Sequence, residues 1–287
     1  MPDKFGTIVV GGGPAGLTAA IALAAGGIPT ALVGKRPARP DNRTTALLAG
    51  SVTALEALGV WELCAAQSAP LRIMRIVDDT GRLWRAPEVK FDAAEIDLDA
   101  FGYNIANRDL VAALEQRARG LAGLTLIDDE VTALEPGDDT VSMTLKSGMT
   151  LRAPLVVAAD GRHSMARAAA GIKTNERQYK QVALTVTLRH SRPHRDTSTE
   201  FHTASGPFTL VPLPGQRSSL VWVLDPRQAD EIAALDDATL AGEIERASHS
   251  ILGKIELEPG RGLFPLGTAT AQRFADNRIA LVGEAAH

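Results

Sequence analysis

Thr7-Ile8-Val9-Val10-Gly11-Gly12-Gly13-Pro14-Ala15-Gly16 is the stretch that decides the fold. Four residues of strand character run into G-x-G-x-x-G, and a helical run, Leu17 to Ala25, follows at once. A strand, a glycine turn and a helix in that order are the setting in which this pattern binds a dinucleotide. Each glycine has a physical task. Gly11 permits the tight turn, Gly13 leaves room for a diphosphate against the backbone, and Gly16 lets the helix lie close to the strand. The helix start, with Pro14 and Ala15 in the same turn, offers unpaired N–H groups and a partial positive charge to the diphosphate.

Moving outward, Thr30 to Val33 reads as the second parallel strand, after a helix stop at Gly26-Gly27. A dinucleotide site usually carries Asp or Glu at the end of that strand for the adenosine ribose. Here counting reaches Gly34, followed by Lys35-Arg36. A charged hydrogen bond of this kind contributes roughly 1.5–3 kcal/mol, about ten- to a hundred-fold in affinity. Its loss weakens such a site without abolishing one that has many other contacts. Lys35 and Arg36 raise a 2′-phosphate contact, but read better as solvated loop charges.

The bulk properties narrow the function classes. A chain of 287 residues holds one large or two modest domains. With 45% apolar and 22% charged residues it has the balance of a soluble globular protein, and a net charge of −4 argues against general nucleic-acid binding. The single cysteine, Cys64, excludes an internal disulfide and the paired-cysteine redox centre of disulfide reductases, and fits a reducing, cytoplasmic setting. Met1 to Lys4 leads straight into the first strand, so no signal peptide is expected. The longest apolar run, Ala15 to Ile28, is short and glycine-broken, a buried helix and not a membrane span.

Further along, a helix is expected over Ser51 to Gly59, strand and turn material over 71–100, and a helix over Arg108 to Arg119 with Asn107 as its cap. Alternating residues from Leu124 to Leu151 predict a small antiparallel meander. Leu155 to Ala159 reads as a strand buried on both faces, ending in Asp160-Gly161. From about Asn175 the pattern changes to half-buried strands around 182–188, 208–213 and 219–224, with a helix over Ala229 to Ile251. Arg278 to Val282 reads as a strand that returns to the first unit, ending in Gly283-Glu284. The expected organisation is therefore α/β: a Rossmann-like dinucleotide domain of the glutathione-reductase type over 1–174, an inserted antiparallel-sheet substrate domain over 175–270, and a return strand over 271–287.

Three spaced elements now stand together: the fingerprint at 11–16, Asp160-Gly161, and Gly283-Glu284. With them the chain resembles the group A flavoprotein monooxygenases, the aromatic hydroxylases of the para-hydroxybenzoate hydroxylase fold. Within these it is most similar to the ubiquinone-biosynthesis hydroxylases, through Asp41-x-Arg43-Thr44-Thr45-Ala46-Leu47, Leu58-Gly59-Val60-Trp61, Asn107-Arg108-x-Leu110, Gly206-Pro207-Phe208-Thr209-Leu210-Val211-Pro212-Leu213-Pro214, and Phe264-Pro265-Leu266. The resemblance covers essentially the whole chain. It implies that Gly11, Gly13 and Gly16 hold the FAD diphosphate, with Arg43 on the diphosphate and isoalloxazine side and Arg108 at the adenosine end. Asp160 would lie beside the diphosphate and bear on nicotinamide-cofactor use. Glu284 would take the place of the aspartate that binds the ribityl hydroxyls, one methylene longer. The strands around 182–224 would roof the substrate pocket.

The implied activity is ring hydroxylation with NADH or NADPH and O2, on a small aromatic substrate, here a polyprenylated phenol of ubiquinone synthesis. The flavin carries that chemistry, and no side-chain acid or base is nominated. A lipid substrate implies contact with the inner membrane surface or with a biosynthetic complex. Family members continue beyond the position of His287 with a helix that points at the flavin, so the chain is expected to be a piece of a longer enzyme or a shortened chain that binds FAD weakly. Two other readings stand beside this one. One is a different phenol hydroxylase or a flavin halogenase, though the halogenase W-x-W-x-I-P signature is absent. The other is a non-catalytic accessory protein that keeps the fold, motivated by Gly34 and Glu284. Arg43 and Arg108 have the alternative of surface ion pairs, and Asp160 that of a helix cap.

Overall fold

The computed structural model describes residues 5–35 and 43–287. Its first layer is a six-stranded sheet in the spatial order Ala275–Asp276, Ile279–Leu281, Val156–Ala158, Thr7–Val10, Thr30–Val33, Leu124–Ile127. All strands but the short edge hairpin arm Ala275–Asp276 run parallel. The central strands are wholly apolar or nearly so because both faces are covered: Thr7–Val10 and Thr30–Val33 are buried at every residue. On one face the helix Pro14–Ala25 buries Leu17, Ala20 and Ile21 together with Val9, Leu32 and the helix Asn107–Arg119. On the other face lie Val141, Met143 and Leu145 of a three-stranded meander.

The second layer is an eight-stranded sheet built around the 17-residue strand Thr174–His190. Its path runs through Arg217–Leu224, Pro207–Leu213 and Thr197–His202 to Ile73–Asp78 and Val89–Asp92. Leu184, Val186, Leu188, Phe208, Leu210 and Leu220 point from it into a core closed by Leu240 and Ile244 of the helix Asp237–Ala247. Phe208 packs edge-on against Trp222 at 5.1 Å and Phe201 at 5.9 Å. A small sheet of Thr44–Leu48, Gly102–Ala106 and Ser68–Pro70 lies between the two layers.

The α/β class and the inserted antiparallel sheet agree with the sequence reading, and several local expectations do not. The meander begins at Val131, not Leu124, because Leu124–Ile127 pairs parallel with Thr30–Val33 at the sheet edge. An edge strand has one partner and half-covered faces, so its alternation imitates a meander strand. Asn107 does not cap its helix: it is the first helical residue after Ala106, and its Oδ1 accepts from Thr45 Oγ1 at 2.5 Å. The helix expected over 229–251 is two, Pro226–Ala233 and Asp237–Ala247. Each has its own cap, Asp225 accepting from Arg227 N at 3.0 Å and Asp236 from Thr239 N at 2.9 Å. The antiparallel sheet also recruits Ile73–Asp78 and Val89–Asp92, from within the residues expected for the first domain.

Candidate functional site

Parallel strands place their C-terminal ends on one edge of the sheet, where ligands of such sheets bind. Four turns emerge there, after Val10, Val33, Ala158 and Leu281, and they bring together Gly11 to Gly16, Gly34, Asp160-Gly161 and Gly283. The three fingerprint glycines differ in what surrounds them. A Cβ on Gly11 would lie 2.1 Å from the Ala159 carbonyl oxygen, at φ +119°, and one on Gly16 would lie 1.8 Å from the Gly11 oxygen. These two are packing glycines. A Cβ on Gly13 would meet nothing within 4 Å. Gly13 is the residue that opens onto free space at the start of the helix. Pro14 occupies the first turn, no acidic residue stands there, and no side chain caps it. The first-turn dipole is thus uncompensated and suited to a diphosphate. Gly283, at φ +59°, closes the cradle from the other side: its Cβ would fall 2.7 Å from that of Ala15. The residues present therefore fit a dinucleotide diphosphate.

Beside this cradle is a pocket of about 360 Å³ lined by Gly12, Gly34, Lys35, Arg119, Glu115 and Asp128, among others. A Cβ on Gly34 would sit 2.3 Å from the Gly12 nitrogen. The acidic residue usual at that position would collide with the fingerprint backbone as it is arranged here. The carboxylates at the pocket are instead Glu115, ion-paired with Arg119 at 2.5 Å, and Asp128. Lys35 turns to Glu130 at 3.2 Å, which holds the Glu130 carboxyl below its usual range. Arg36 and Asp41 lie outside the described residues.

Asp160 is half-buried and spends both oxygens locally. Oδ1 accepts from Ser164 Oγ at 2.5 Å and Oδ2 from Ala166 N at 3.1 Å, while Ser164 Oγ accepts from Arg167 N at 2.9 Å. It organises the start of the helix Met165–Ala169 beside the glycine cradle. Glu284 is exposed, and among the described residues its carboxylate has no hydrogen-bond or ion-pair partner. His163 is exposed in the same loop.

Arg43 and Arg108 belong to a second locus, the seam between the small sheet and the antiparallel sheet. The Arg43 guanidinium stands 5.1 Å over the Phe264 ring, and its carbonyl accepts from Asn107 N at 2.9 Å. Arg108 pairs with Asp109 at 3.6 Å and lines a water-sized cavity with Thr187, Leu213, Arg217 and Glu258. Glu258 accepts two bonds from Arg217 (2.8 and 2.7 Å) and one from Arg189 (3.0 Å), which hold its carboxyl down at about 2.

Deeper in the seam, Asn104 donates to the Pro212 carbonyl at 2.8 Å, and Ser219 Oγ meets Thr44 Oγ1 at 2.9 Å. Sequence reasoning did not find Asn104 or Ser219. Asn104 is the one polar side chain between Tyr103 and Ile105, and Ser219 sits in the polar start of its strand after Arg217 and Ser218, so neither carries a distinctive local signal. Above the seam the antiparallel sheet presents Thr185, Val221 and Thr209 in register across three strands, all half-buried. That face mixes aliphatic and hydroxyl groups, and Thr209 Oγ1 donates to Glu200 in the next strand at 3.2 Å, a mildly polar wall that suits a phenolic ring.

Other chemistries find little support. His190 Nδ1 donates to the Arg192 carbonyl at 2.7 Å and Nε2 accepts from Ser218 Oγ at 3.0 Å, but both side chains are buried, and burial lowers the histidine pKa. This pair is structural. Among the described residues no cluster of three or more metal-ligating side chains occurs.

Comparison with known proteins agrees with this geometry. The family model described as FAD binding domain matches residues 4–287. The chain belongs to the FAD-binding monooxygenases of the group A flavoprotein fold. It is 36% identical to the ubiquinone hydroxylase UbiL of Rhodospirillum rubrum, over 99% of this chain and 67% of that protein. It is 33% identical to the 3-demethoxyubiquinol 3-hydroxylase of Escherichia coli, over 97% of this chain and 72% of that protein. In fold it is similar to p-nitrophenol 4-monooxygenase PnpA of Pseudomonas putida, with a TM-score of 0.79 at 20% identity, covering 100% of this chain and 74% of that one. PqsL of Pseudomonas aeruginosa gives a TM-score of 0.82 at 20% identity, covering 99% and 79%.

Proposed function

We propose that this protein is an FAD-dependent monooxygenase that uses NADH or NADPH and O2 to hydroxylate a polyprenylated phenol in ubiquinone biosynthesis. The observation that carries this reading is the pairing of an open, anion-seeking glycine cradle at Gly13 with a half-buried, mildly polar face on the antiparallel sheet. The two relatives described above, each more than 30% identical and named for a ubiquinone hydroxylation, support the substrate class.

When bound, FAD supplies the redox chemistry, accepting reducing equivalents from NAD(P)H and activating O2. The chain's own residues bind and orient. The N–H groups at the start of Pro14–Ala25 hold the diphosphate, and Gly11 and Gly16 keep that helix close to the strand. Asp160 fixes the adjoining loop through Ser164 and Ala166. Arg43 is assigned to the diphosphate and isoalloxazine side, Arg108 to the adenosine end, and Glu284 to the ribityl chain. Thr185, Thr209 and Val221 form the substrate wall, where exclusion of water and alignment of the ring are the protein's contribution.

The test is direct. The protein is mixed with FAD, desalted, and its visible spectrum recorded. NAD(P)H oxidation is then followed with and without a polyprenylated phenol, and the product is weighed by mass spectrometry. Retained flavin and a product heavier by one oxygen are expected. Retained flavin with NAD(P)H oxidation that no phenol accelerates would overturn the substrate reading. Failure to retain flavin would favour the accessory reading that Gly34 and Glu284 motivate.

A further inference from the structure

The most exposed large apolar side chains among the described residues stand side by side. Leu83 is 94% exposed and Trp84 88%. They occupy the loop 79–88, which joins Ile73–Asp78 to Val89–Asp92 at the far edge of the antiparallel sheet. We propose that this hairpin tip is a membrane anchor, in which Leu83 and Trp84 enter the headgroup region of an anionic lipid surface and Arg82 and Arg85 bind its headgroups.

The loop is built, not slack. Asp78 Oδ1 accepts from Thr80 N (3.1 Å) and Thr80 Oγ1 (2.7 Å), and Oδ2 accepts from Ala86 N at 2.9 Å across the loop. These bonds hold the Asp78 carboxyl down at about 2, so the clamp stays ionised at neutral pH. Asp79 is braced on His249 at 3.0 Å. A loop tied at both ends holds its tip in place before contact, which reduces the ordering cost of binding. Two arginines bracket the apolar pair in the sequence Arg82-Leu83-Trp84-Arg85. Tryptophan favours the membrane–water interface, and basic side chains near an anionic leaflet are attracted to it.

The acids close to the tip are already engaged: Asp78 with the loop, Asp79 with His249 and Arg85 (3.7 Å), Glu88 with Arg75 (2.6 Å) and Lys90 (3.1 Å). The acidic run of Asp92, Glu95, Asp97 and Asp99 lies at the opposite end of the hairpin, where Ala93 N donates to the Arg72 carbonyl. The hairpin therefore has an apolar, basic tip and an acidic base, a polarity that fits a tip-down approach. One hairpin face continues the apolar character with the cross-strand pairs Met74–Phe91 and Ile76–Val89. Strand addition by a second copy is the rival occupant, and Lys90 in the edge strand, with Pro87 just before it, opposes that. The proposal does not depend on which phenol the protein hydroxylates.

The protein is to be floated with phosphatidylcholine vesicles, with and without phosphatidylglycerol, while Trp fluorescence is quenched by brominated lipid. Wild type is expected to bind the anionic vesicles with quenching. The variant Leu83→Ser/Trp84→Ser should lose roughly ten- to a hundred-fold in partitioning. Arg82→Gln/Arg85→Gln should lose the preference for phosphatidylglycerol. Ile96→Ser, exposed at the other end of the hairpin, should bind as wild type. Melting curves of the variants without lipid check the fold. Absence of wild-type binding, equal binding by the Leu83/Trp84 variant, or vesicle-independent self-association that this variant abolishes would each overturn the proposal. Should the double variant not fold, failure of brominated lipid to quench wild-type fluorescence would do so alone.

Discussion

Gly13 and Gly16 are three residues apart in one fingerprint, yet the structure assigns them opposite consequences when a methyl group is added. At Gly16 the new Cβ would lie 1.8 Å from the Gly11 carbonyl oxygen and 2.9 Å from its carbon. Both are backbone atoms, so no rotamer change relieves the overlap and the helix must move off the strand. Overpacking of this kind costs about 3 kcal/mol. Replacing a helical glycine by alanine returns about 1 kcal/mol. The remaining loss, about 2 kcal/mol, corresponds to a melting temperature lower by roughly 4–8 °C in a domain of this size. At Gly13 the backbone has φ −79° and ψ 179°, which alanine adopts readily, and the new Cβ meets nothing within 4 Å. Gly13→Ala should leave stability within about 0.5 kcal/mol. Its methyl group nevertheless occupies the space through which a diphosphate approaches, so FAD affinity should fall by about ten-fold or more. The assays are thermal melting without FAD and titration of FAD by its fluorescence. A Gly13→Ala protein that binds FAD as wild type would refute the assignment of Gly13 to the ligand face. An unchanged melting temperature in Gly16→Ala would refute the close packing of the helix against the Gly11 carbonyl.

Three further outcomes follow from the geometry. Glu258→Gln removes an acceptor of three arginine bonds and should cost about 1–2 kcal/mol at neutral pH after solvent screening. Because the Glu258 carboxyl lies at about 2 against an ordinary 4.5, its contribution is full above the ordinary value and is lost as pH falls toward 2. Urea unfolding at several pH values should show wild type and variant converging over that interval, and a constant gap would count against the ion pair as the cause. Asp160→Ala should lose about 0.5–2 kcal/mol through the cap on Met165–Ala169, with Asp160→Asn nearer wild type; calorimetry compares them. Asn104→Ala leaves the Pro212 carbonyl without its partner in a buried seam and should cost about 1–3 kcal/mol, read by chemical denaturation.

What the sequence made legible was contiguous. The fingerprint, its strand and its helix occupy adjacent residues, so their spacing is enough to predict the strand–turn–helix side of the cradle. The seam is the reverse case. Asn104 reaches Pro212 across 108 positions and Thr44 reaches Ser219 across 175, so no local window contains both partners. The same holds for the recruitment of Ile73–Asp78 into the second sheet, where pairing with Thr197–His202 joins segments far apart in the chain. Edge strands fail for another reason: Leu124–Ile127 has one neighbour, and half-covered faces produce the same alternation in parallel and antiparallel settings.

Gly34 shows how a local rule and a packed structure lead to different conclusions from one residue. By counting, it is the position of a ribose-binding acid, and its lack of a side chain reads as a lost contact. In the fold its Cα lies against the fingerprint itself, where a Cβ would stand 2.3 Å from the Gly12 nitrogen and 2.9 Å from the Gly12 Cα. The glycine is therefore required by the close approach of the second strand to the turn. Gly34→Glu should not restore an adenosine contact here; it should displace Gly12 and weaken both the fold and FAD binding. A Gly34→Glu protein that melts as wild type and binds FAD more tightly would show that the turn yields, and that the residue marks a lost contact after all.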